Sequence, residues 1–274
     1  MKLGVMLRNM GPQSAVATLT GCARAAERAG LDDLWVADHV AIPPDDAEGS
    51  GGRYLDPLAT LAYLAGVTAR IGLGTGVLVL PYRPPLATAK WVATVQELAG
   101  GRLRLGVGVG WMAAEFRALG VDRDRRGRIT DETLAFLHRC FAADEVESNG
   151  QRFLFLPRPE RPPILIGGEP PHAFRRVLAY GDGWIPMGAP PAKLAPAITE
   201  LRAQAEAAGR PRPLVVVLTR LPLDEPARAA DLARAYAGIG ADEVVHGGRY
   251  ADEAAFKRVI EVLLERVRPA VTMP

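Results

Sequence analysis

The sequence is poor in the residues that usually announce a chemistry. Its 274 residues include two cysteines, four histidines and three serines. Two cysteines cannot build a disulfide framework. Cys22 and Cys140 each sit among helix-spaced apolar residues (Leu19, Cys22, Ala26; Phe136, Leu137, Cys140), where a free thiol packs as a small hydrophobe in a reducing compartment. The serines are Ser14, Ser50 and Ser148, and none occupies a Gly-x-Ser-x-Gly elbow. No two of His39, His138, His172 and His246 share metal-ligand spacing on one element, so no metal is expected. A phosphate-binding Gly-x-x-x-x-Gly-Lys-Ser/Thr loop is missing as well. No apolar run approaches the ~20 residues that cross a bilayer. The opening Met1–Arg8 is interrupted too soon for a secretory signal. Charge of one sign is also lacking: 33 basic against 31 acidic residues leaves +2, interspersed, which gives no footing for nucleic acid or an anionic membrane. The bias of 29 arginines over four lysines reads as genome composition rather than function. The expectation is a soluble, cytoplasmic protein.

What is present is a rhythm. Apolar runs suited to buried strands lie near 3–7, 33–37, 71–79, 103–109, 163–166, 183–186, 214–218 and 242–246. Helical patterns lie near 16–29, 55–69, 85–98, 129–141, 171–179, 192–207, 226–237 and 251–267. Runs such as Leu214-Val215-Val216-Val217-Leu218 are continuous rather than alternating, which suits a parallel sheet covered on both faces. Eight strand–helix units of roughly 34 residues predict an α/β fold, a (β/α)8 TIM barrel spanning residues 1–274. An open doubly wound sheet is the competitor, weakened by a count that closes at eight. Two stretches break the rhythm. Residues 42–54 follow strand 2, where they serve as a lid or as a plain loop. Residues 142–163 carry Asn149-Gly150 between two strand-like segments, which predicts a small hairpin inserted between strands 4 and 5.

Polar groups at the C-terminal ends of barrel strands face the reaction site. At the end of strand 2 stand Asp38 and His39, and His39 either handles a proton or packs against a loop. Strand 4 ends in Gly106-Val107-Gly108-Val109-Gly110-Trp111. The dinucleotide fingerprint fails there, because it needs glycine where Trp111 stands. Alternate glycines instead let a flat ring or a neighbouring backbone come close, with Trp111 available as a pocket wall. Leu73-Gly74-Thr75-Gly76-Val77 in strand 3 carries the same two readings, a kink or a close ligand. Ile166-Gly167-Gly168 runs into a helix start and suits a phosphate. His246-Gly247-Gly248-Arg249 after strand 8 has equal claim on physical grounds. Arg8 and Arg83 are candidates for anionic groups, with solvated surface as the plainer reading of each.

Taken in order, these segments resemble the bacterial luciferase-like superfamily of flavin and deazaflavin oxidoreductases. The resemblance runs through Leu34-Trp35-Val36-Ala37-Asp38-His39, Asp56-Pro57-Leu58, Ile71–Val77, Arg83-Pro84, Gly100-Gly101-Arg102-Leu103, Leu105–Trp111, Glu115-Phe116, Arg126-Gly127-Arg128, Ile166-Gly167-Gly168 and Gly181-Asp182-Gly183-Trp184. It covers nearly the whole chain. The Gly-Val-Gly-Trp segment with Glu115-Phe116 is most similar to the short branch that uses coenzyme F420. The resemblance implies a barrel with the cofactor ring at the C-terminal mouth, and catalytic roles for His39 and its preceding Asp38. It implies a non-prolyl cis peptide at Gly76–Val77 behind the ring, a pocket lined by Gly108, Gly110 and Trp111, and a ribityl phosphate held by Gly167 and Gly168. That last assignment displaces the rival at Gly247-Gly248. A homodimer is implied too. The expected activity is hydride transfer between coenzyme F420 and a small organic substrate. An FMN-dependent monooxygenase is the alternative, and a non-catalytic flavin-binding protein or an unrelated barrel isomerase or lyase stands further off. Trp111 replaces the catalytic glutamate of the superfamily's sugar-phosphate dehydrogenases, and Val109 replaces an arginine that luciferase uses for flavin phosphate. Pocket shape is expected to rest on loops 40–54 and 113–128.

Overall fold

Each of the eight apolar runs pairs with parallel neighbours on both sides, and the ring they make closes. The structure is a computed structural model that describes residues 1–272. Its strands are β1 (Lys2–Met6), β2 (Asp33–Val36), β3 (Gly72–Thr75), β4 (Leu78–Val79), β5 (Leu103–Gly108), β6 (Glu145–Ser148), β7 (Gln151–Leu154), β8 (Ile164–Gly167), β9 (Gly183–Ile185), β10 (Leu214–Thr219) and β11 (Glu243–His246). Round the ring the order is β1, β2, β3, β5, β8, β9, β10, β11, and β11 returns to β1 through Leu3↔Val244 and Gly4↔Val245. The helices are α1 (Val16–Ala29), α2 (Pro57–Val67), α3 (Pro85–Leu98), α4 (Ala113–Leu119), α5 (Arg126–Ala142), α6 (His172–Tyr180), α7 (Pro191–Ala207), α8 (Pro226–Gly238), α9 (Glu253–Val262) and α10 (Arg268–Thr272). This is a (β/α)8 barrel. β6 and β7 form the inserted antiparallel hairpin, turned by Asn149 and Gly150, both at positive φ.

Three expectations need correction. Strand 3 is not one strand over 71–79. The cis bond Gly76–Val77 divides it into β3 and β4, both of which pair with β5. The segment 113–128 is not an open loop. It folds as α4, closed by Gly120 in the left-handed region, followed by a 3-10 turn at Arg123–Arg125. The last helix passes through a π turn at Leu263–Val267 before α10. Both cysteines are buried on helices as expected, and burial pushes their thiols up to about 12 for Cys22 and about 11 for Cys140. No helix among the described residues is long and apolar enough to cross a membrane.

The barrel interior is organised around Trp35. This ring is fully buried, packed with Leu165, Ile185, Val216, Leu218 and Val245. Its Nε1 donates to Glu243 Oε1 at 2.8 Å. Burial, reinforced by the charge of Asp33, pushes the Glu243 carboxyl up to about 8. An indole fits at the centre of an eight-stranded barrel because neighbouring strands give up their side chains. A Cβ at Gly74 would collide with the Trp35 ring, and one at Gly4 would stand 2.8 Å from its Nε1. The same crowding decides the reading of two further glycines. A Cβ at Gly106 would strike the Thr75 carbonyl, and one at Gly108 would stand 2.6 Å from Val77 Cγ2. The close neighbours at Gly74, Gly106 and Gly108 are therefore protein groups. Trp35→Ala should lower the unfolding free energy by about 3–5 kcal/mol, read by urea denaturation; a loss under about 1 kcal/mol would show that the ring is not the packing centre.

Candidate active site

At the C-terminal mouth the strand tips enclose a cavity of about 650 Å³. Asp38, His39, Gly76, Val77, Gly108, Gly110, Trp111, Gly167 and Gly168 all line it, whereas Arg8 and Arg83, also candidates in the sequence, do not. Met6, Met187 and Leu218 add apolar surface. Of the four histidines only His39 is there. His246 is buried, accepts from Leu221 N at 3.2 Å, and is pushed down to about 4 by burial and the charge of Arg220. His138 contacts the Tyr180 carbonyl at 2.8 Å.

The turn after β2 is fixed before any ligand is considered. Buried Asn9 donates to the carbonyls of Ala37 and Leu55, each at 2.8 Å, and accepts from Ala37 N at 3.1 Å. One amide side chain thus satisfies three buried groups and aims the next two residues apart. Asp38 turns to the wall. It accepts from Arg83 Nη1 (2.6 Å) and Nη2 (2.9 Å) and from Val79 N (2.8 Å). Arg83 also donates to Asp56 at 2.7 Å, and Asp56 caps α2 through Ala59 N. Arg83 is accordingly neither solvated surface nor a free anion site. It is a buried clamp that joins the tip of β2 to β4 and α2. Burial acts to lower Arg83, and the two carboxylates outweigh it and hold the guanidinium above its ordinary range.

His39 faces the cavity. Its Nδ1 lies 2.9 Å from Glu115 Oε2. Glu115 is fully buried on α4 and accepts also from Tyr82 Oη (2.8 Å), Val40 N (2.5 Å) and Ala41 N (3.0 Å). Burial acts to raise this carboxyl, yet the donated bonds prevail and hold it below its ordinary value. An ionised Glu115 requires a proton on His39 Nδ1, which leaves Nε2 as the variable nitrogen. The Tyr54 ring meets His39 edge-on at 4.9 Å between centroids, and the Trp111 ring at 6.2 Å. Trp111 is 68% exposed, a side wall open to solvent. Glu115, Tyr82 and Asn9 were not picked out from the sequence as site residues. Glu115-Phe116 was visible only as part of a pattern, because nothing in a linear spacing of 76 residues points from Glu115 to His39.

The opposite wall is β8. Gly168 has φ +110°, and a Cβ there would meet nothing within 4 Å, so glycine is required by the backbone while the space above stays open. Trp184 Nε1 donates to the Gly168 carbonyl at 2.8 Å and steadies the turn. Gly110, at φ +78°, would with a side chain press on Val79 (2.7 Å) and Phe116 (3.0 Å). The rim segment 42–54 is tied down by Gly11 N donating to the Arg53 carbonyl and Leu55 N to the Asn9 carbonyl, each at 2.9 Å. Among the described residues no three His, Cys, Asp or Glu side chains gather as a metal set would.

The profile of the luciferase-like monooxygenases matches residues 1–270. The chain belongs to this family. A curated relative, the F420-dependent hydroxymycolic acid dehydrogenase of Mycobacterium tuberculosis, is 32% identical over 204 residues, 70% of this chain and 54% of that one. An F420-dependent secondary alcohol dehydrogenase, solved with an F420–acetone adduct, superposes with TM-score 0.80 at 16% identity, covering 99% of both chains. The oxygenating constituent of 3,6-diketocamphane monooxygenase from Pseudomonas putida, solved with FMN, gives 0.80 at 13%, covering 100% of this chain and 99% of that one. The family includes F420-dependent and flavin-dependent oxidoreductases and monooxygenases, and its members act on small molecules.

Glu115→Gln keeps the volume and removes the charge. It should cost about 1–3 kcal/mol of stability near neutral pH. Because the folded carboxyl titrates below its ordinary value of 4.5, this stabilisation is present above that pH and is lost as pH falls through the folded value. The gap between wild type and variant in urea unfolding should therefore close in acid, and a gap that stays constant would contradict an ionised Glu115.

Proposed function

We propose that this protein is an oxidoreductase that transfers hydride between coenzyme F420 and a small organic substrate. The observation that carries the reading is the convergence of His39, Gly76, Gly110 and Gly168 around one cavity. A volume of about 650 Å³ falls within the ~300–1,000 Å³ of cofactor and substrate sites. The residues suit a tricyclic ring with a phosphate arm: Met6, Val77 and Leu218 offer apolar surface, and Gly168 leaves open space beside the start of α6. The resemblance of the Trp111 and Glu115-Phe116 segment to the F420 branch, and the F420-dependent curated relative, support the deazaflavin over FMN.

When bound, the deazaflavin supplies the hydride acceptor or donor. The chain supplies the rest. Gly76 and Val77 would present the shelf behind the ring. Gly108, Gly110 and Trp111 would bound its edge, and Gly167 and Gly168 would hold the phosphate. His39 is the catalytic residue. Its Nε2 takes a proton from a hydroxyl being oxidised, or returns one to a carbonyl being reduced, while Glu115 holds the ring's orientation and balances the imidazolium. Asp38 works beside it as a positioning residue, fixing Val79 and Arg83 so that the shelf and the His39 turn stay in register. Trp35 packs in the cluster that holds Met6, Val77 and Leu218, which line the cavity.

Separate titrations with F420 and FMN should show tighter binding of F420. His39→Ala should reduce kcat with F420 by about 10²–10⁴-fold while the cofactor Kd changes less than about twofold. FMN bound more tightly, with oxygen consumed on reduction, would favour the monooxygenase reading, and tight binding without turnover across a substrate panel would favour a carrier.

A further inference from the structure

A second cleft of about 580 Å³ opens on the same end of the barrel, walled by the loops after β1, β2 and β11. Three arginines, Arg8, Arg53 and Arg249, reach it from three separate loops. None of them forms an ion pair among the described residues. The partners of Arg8 and Arg53 are neutral. Arg8 Nε donates to Gln13 Oε1 at 3.2 Å and its Nη2 to the Gly49 carbonyl at 3.0 Å; Arg53 Nε donates to Ser14 Oγ at 2.7 Å. Arg249 packs over Gly49, where a Cβ would stand 3.2 Å from Nη2. Arg8 Nη1 and the terminal nitrogens of Arg53 and Arg249 make no hydrogen bond among the described residues. Like charges repel, and a fold that holds three of them around one hollow, with Arg8 and Arg53 oriented by neutral acceptors, leaves a field suited to an oxyanion.

The placement says which oxyanion. Arg8 lies two residues beyond Met6 and Arg249 two beyond Gly247, and Met6 and Gly247 both line the mouth cavity, so the two hollows adjoin. Gly167 ends β8 and Gly168 follows it, four strands round the ring from β1 and so on its far side. A cofactor whose phosphate rests there has that group across the barrel from the arginines. We propose that the Arg8–Arg53–Arg249 cleft is an oxyanion subsite that takes the phosphate or carboxylate of an anionic substrate whose reacting carbon lies by His39. This rests on the hydride-transfer reading for its reacting end, while the anion site stands on its own geometry.

The experiment uses the full chain and inorganic phosphate, with pyrophosphate as a second probe, followed by calorimetry at low salt. Wild type should bind phosphate, and Arg8→Gln/Arg249→Gln should bind it at least about tenfold more weakly. Arg53→Gln alone, at an exposed position, should weaken it by a smaller factor and serves if the double variant loses its native circular dichroism. Absence of phosphate binding to wild type, or equal binding to the variants, would overturn the subsite. A second arm measures F420 affinity: a change under about twofold in the double variant supports a substrate subsite, and a tenfold loss would overturn that assignment and give the cleft to the cofactor's own anionic arm. If F420 does not bind wild type at all, the hydride-transfer reading fails, and the phosphate arm still decides the cleft.

Discussion

One large side chain sets the geometry of the molecule. Trp35 occupies the barrel axis, and the strands around it yield at Gly4 and Gly74 to admit the ring. Without such yielding, eight strands leave room only for ordinary side chains meeting at the centre. With it, the interior packs as one cluster around the indole, and Met6, Val77 and Leu218 of that cluster line the mouth cavity. The strand tips above are free to carry backbone and polar groups because the packing beneath them is already complete. The division common to this fold, stability below and chemistry above, is drawn here at the level of a single indole.

Above this cluster, two carboxylates do different work because of what surrounds them. Asp38 is matched by a guanidinium and a backbone amide and is bound into the wall, whereas Glu115 is met by two backbone amides, a phenol and an imidazole. The first makes a rigid joint between strands. The second fixes a tautomer. Glu115 reaches His39 only because α4 folds back over the tip of β2, and α4 starts where Gly110 turns the chain out of β5. The orientation of the imidazole is thus a product of chain path as much as of pairing.

The sequence carried the barrel clearly, and for a physical reason. Continuous apolar runs such as Leu214–Leu218 have no sensible place except a sheet covered on both sides, and Asn149-Gly150 has few conformations other than a hairpin turn. His39, Asp38 and the glycine-rich tips were legible because they fall at the ends of those runs. The clamping roles were not. Asn9, Tyr82, Arg83 and Glu115 act through contacts between elements far apart in the chain, and each has an ordinary local context: a loop after β1, a short turn, the residue before a proline, the first turn of a seven-residue helix. Alternate glycines in Gly106-Val107-Gly108 were ambiguous for a related reason. Their missing side chains signal close approach, and whether the visitor is a ligand or the Thr75 carbonyl and Val77 is decided only when the strands are set side by side.

The packed centre has an evolutionary consequence. The buried cluster around Trp35 lies beneath the mouth cavity, which leaves recognition to the strand tips and the segments that follow them. Selectivity is then free to diverge through insertions and exchanges in the connecting segments, whose cost to folding is small, while the indole and its glycines stay under constraint. A lineage built on such a barrel can try new chemistries at its edge without renegotiating its centre.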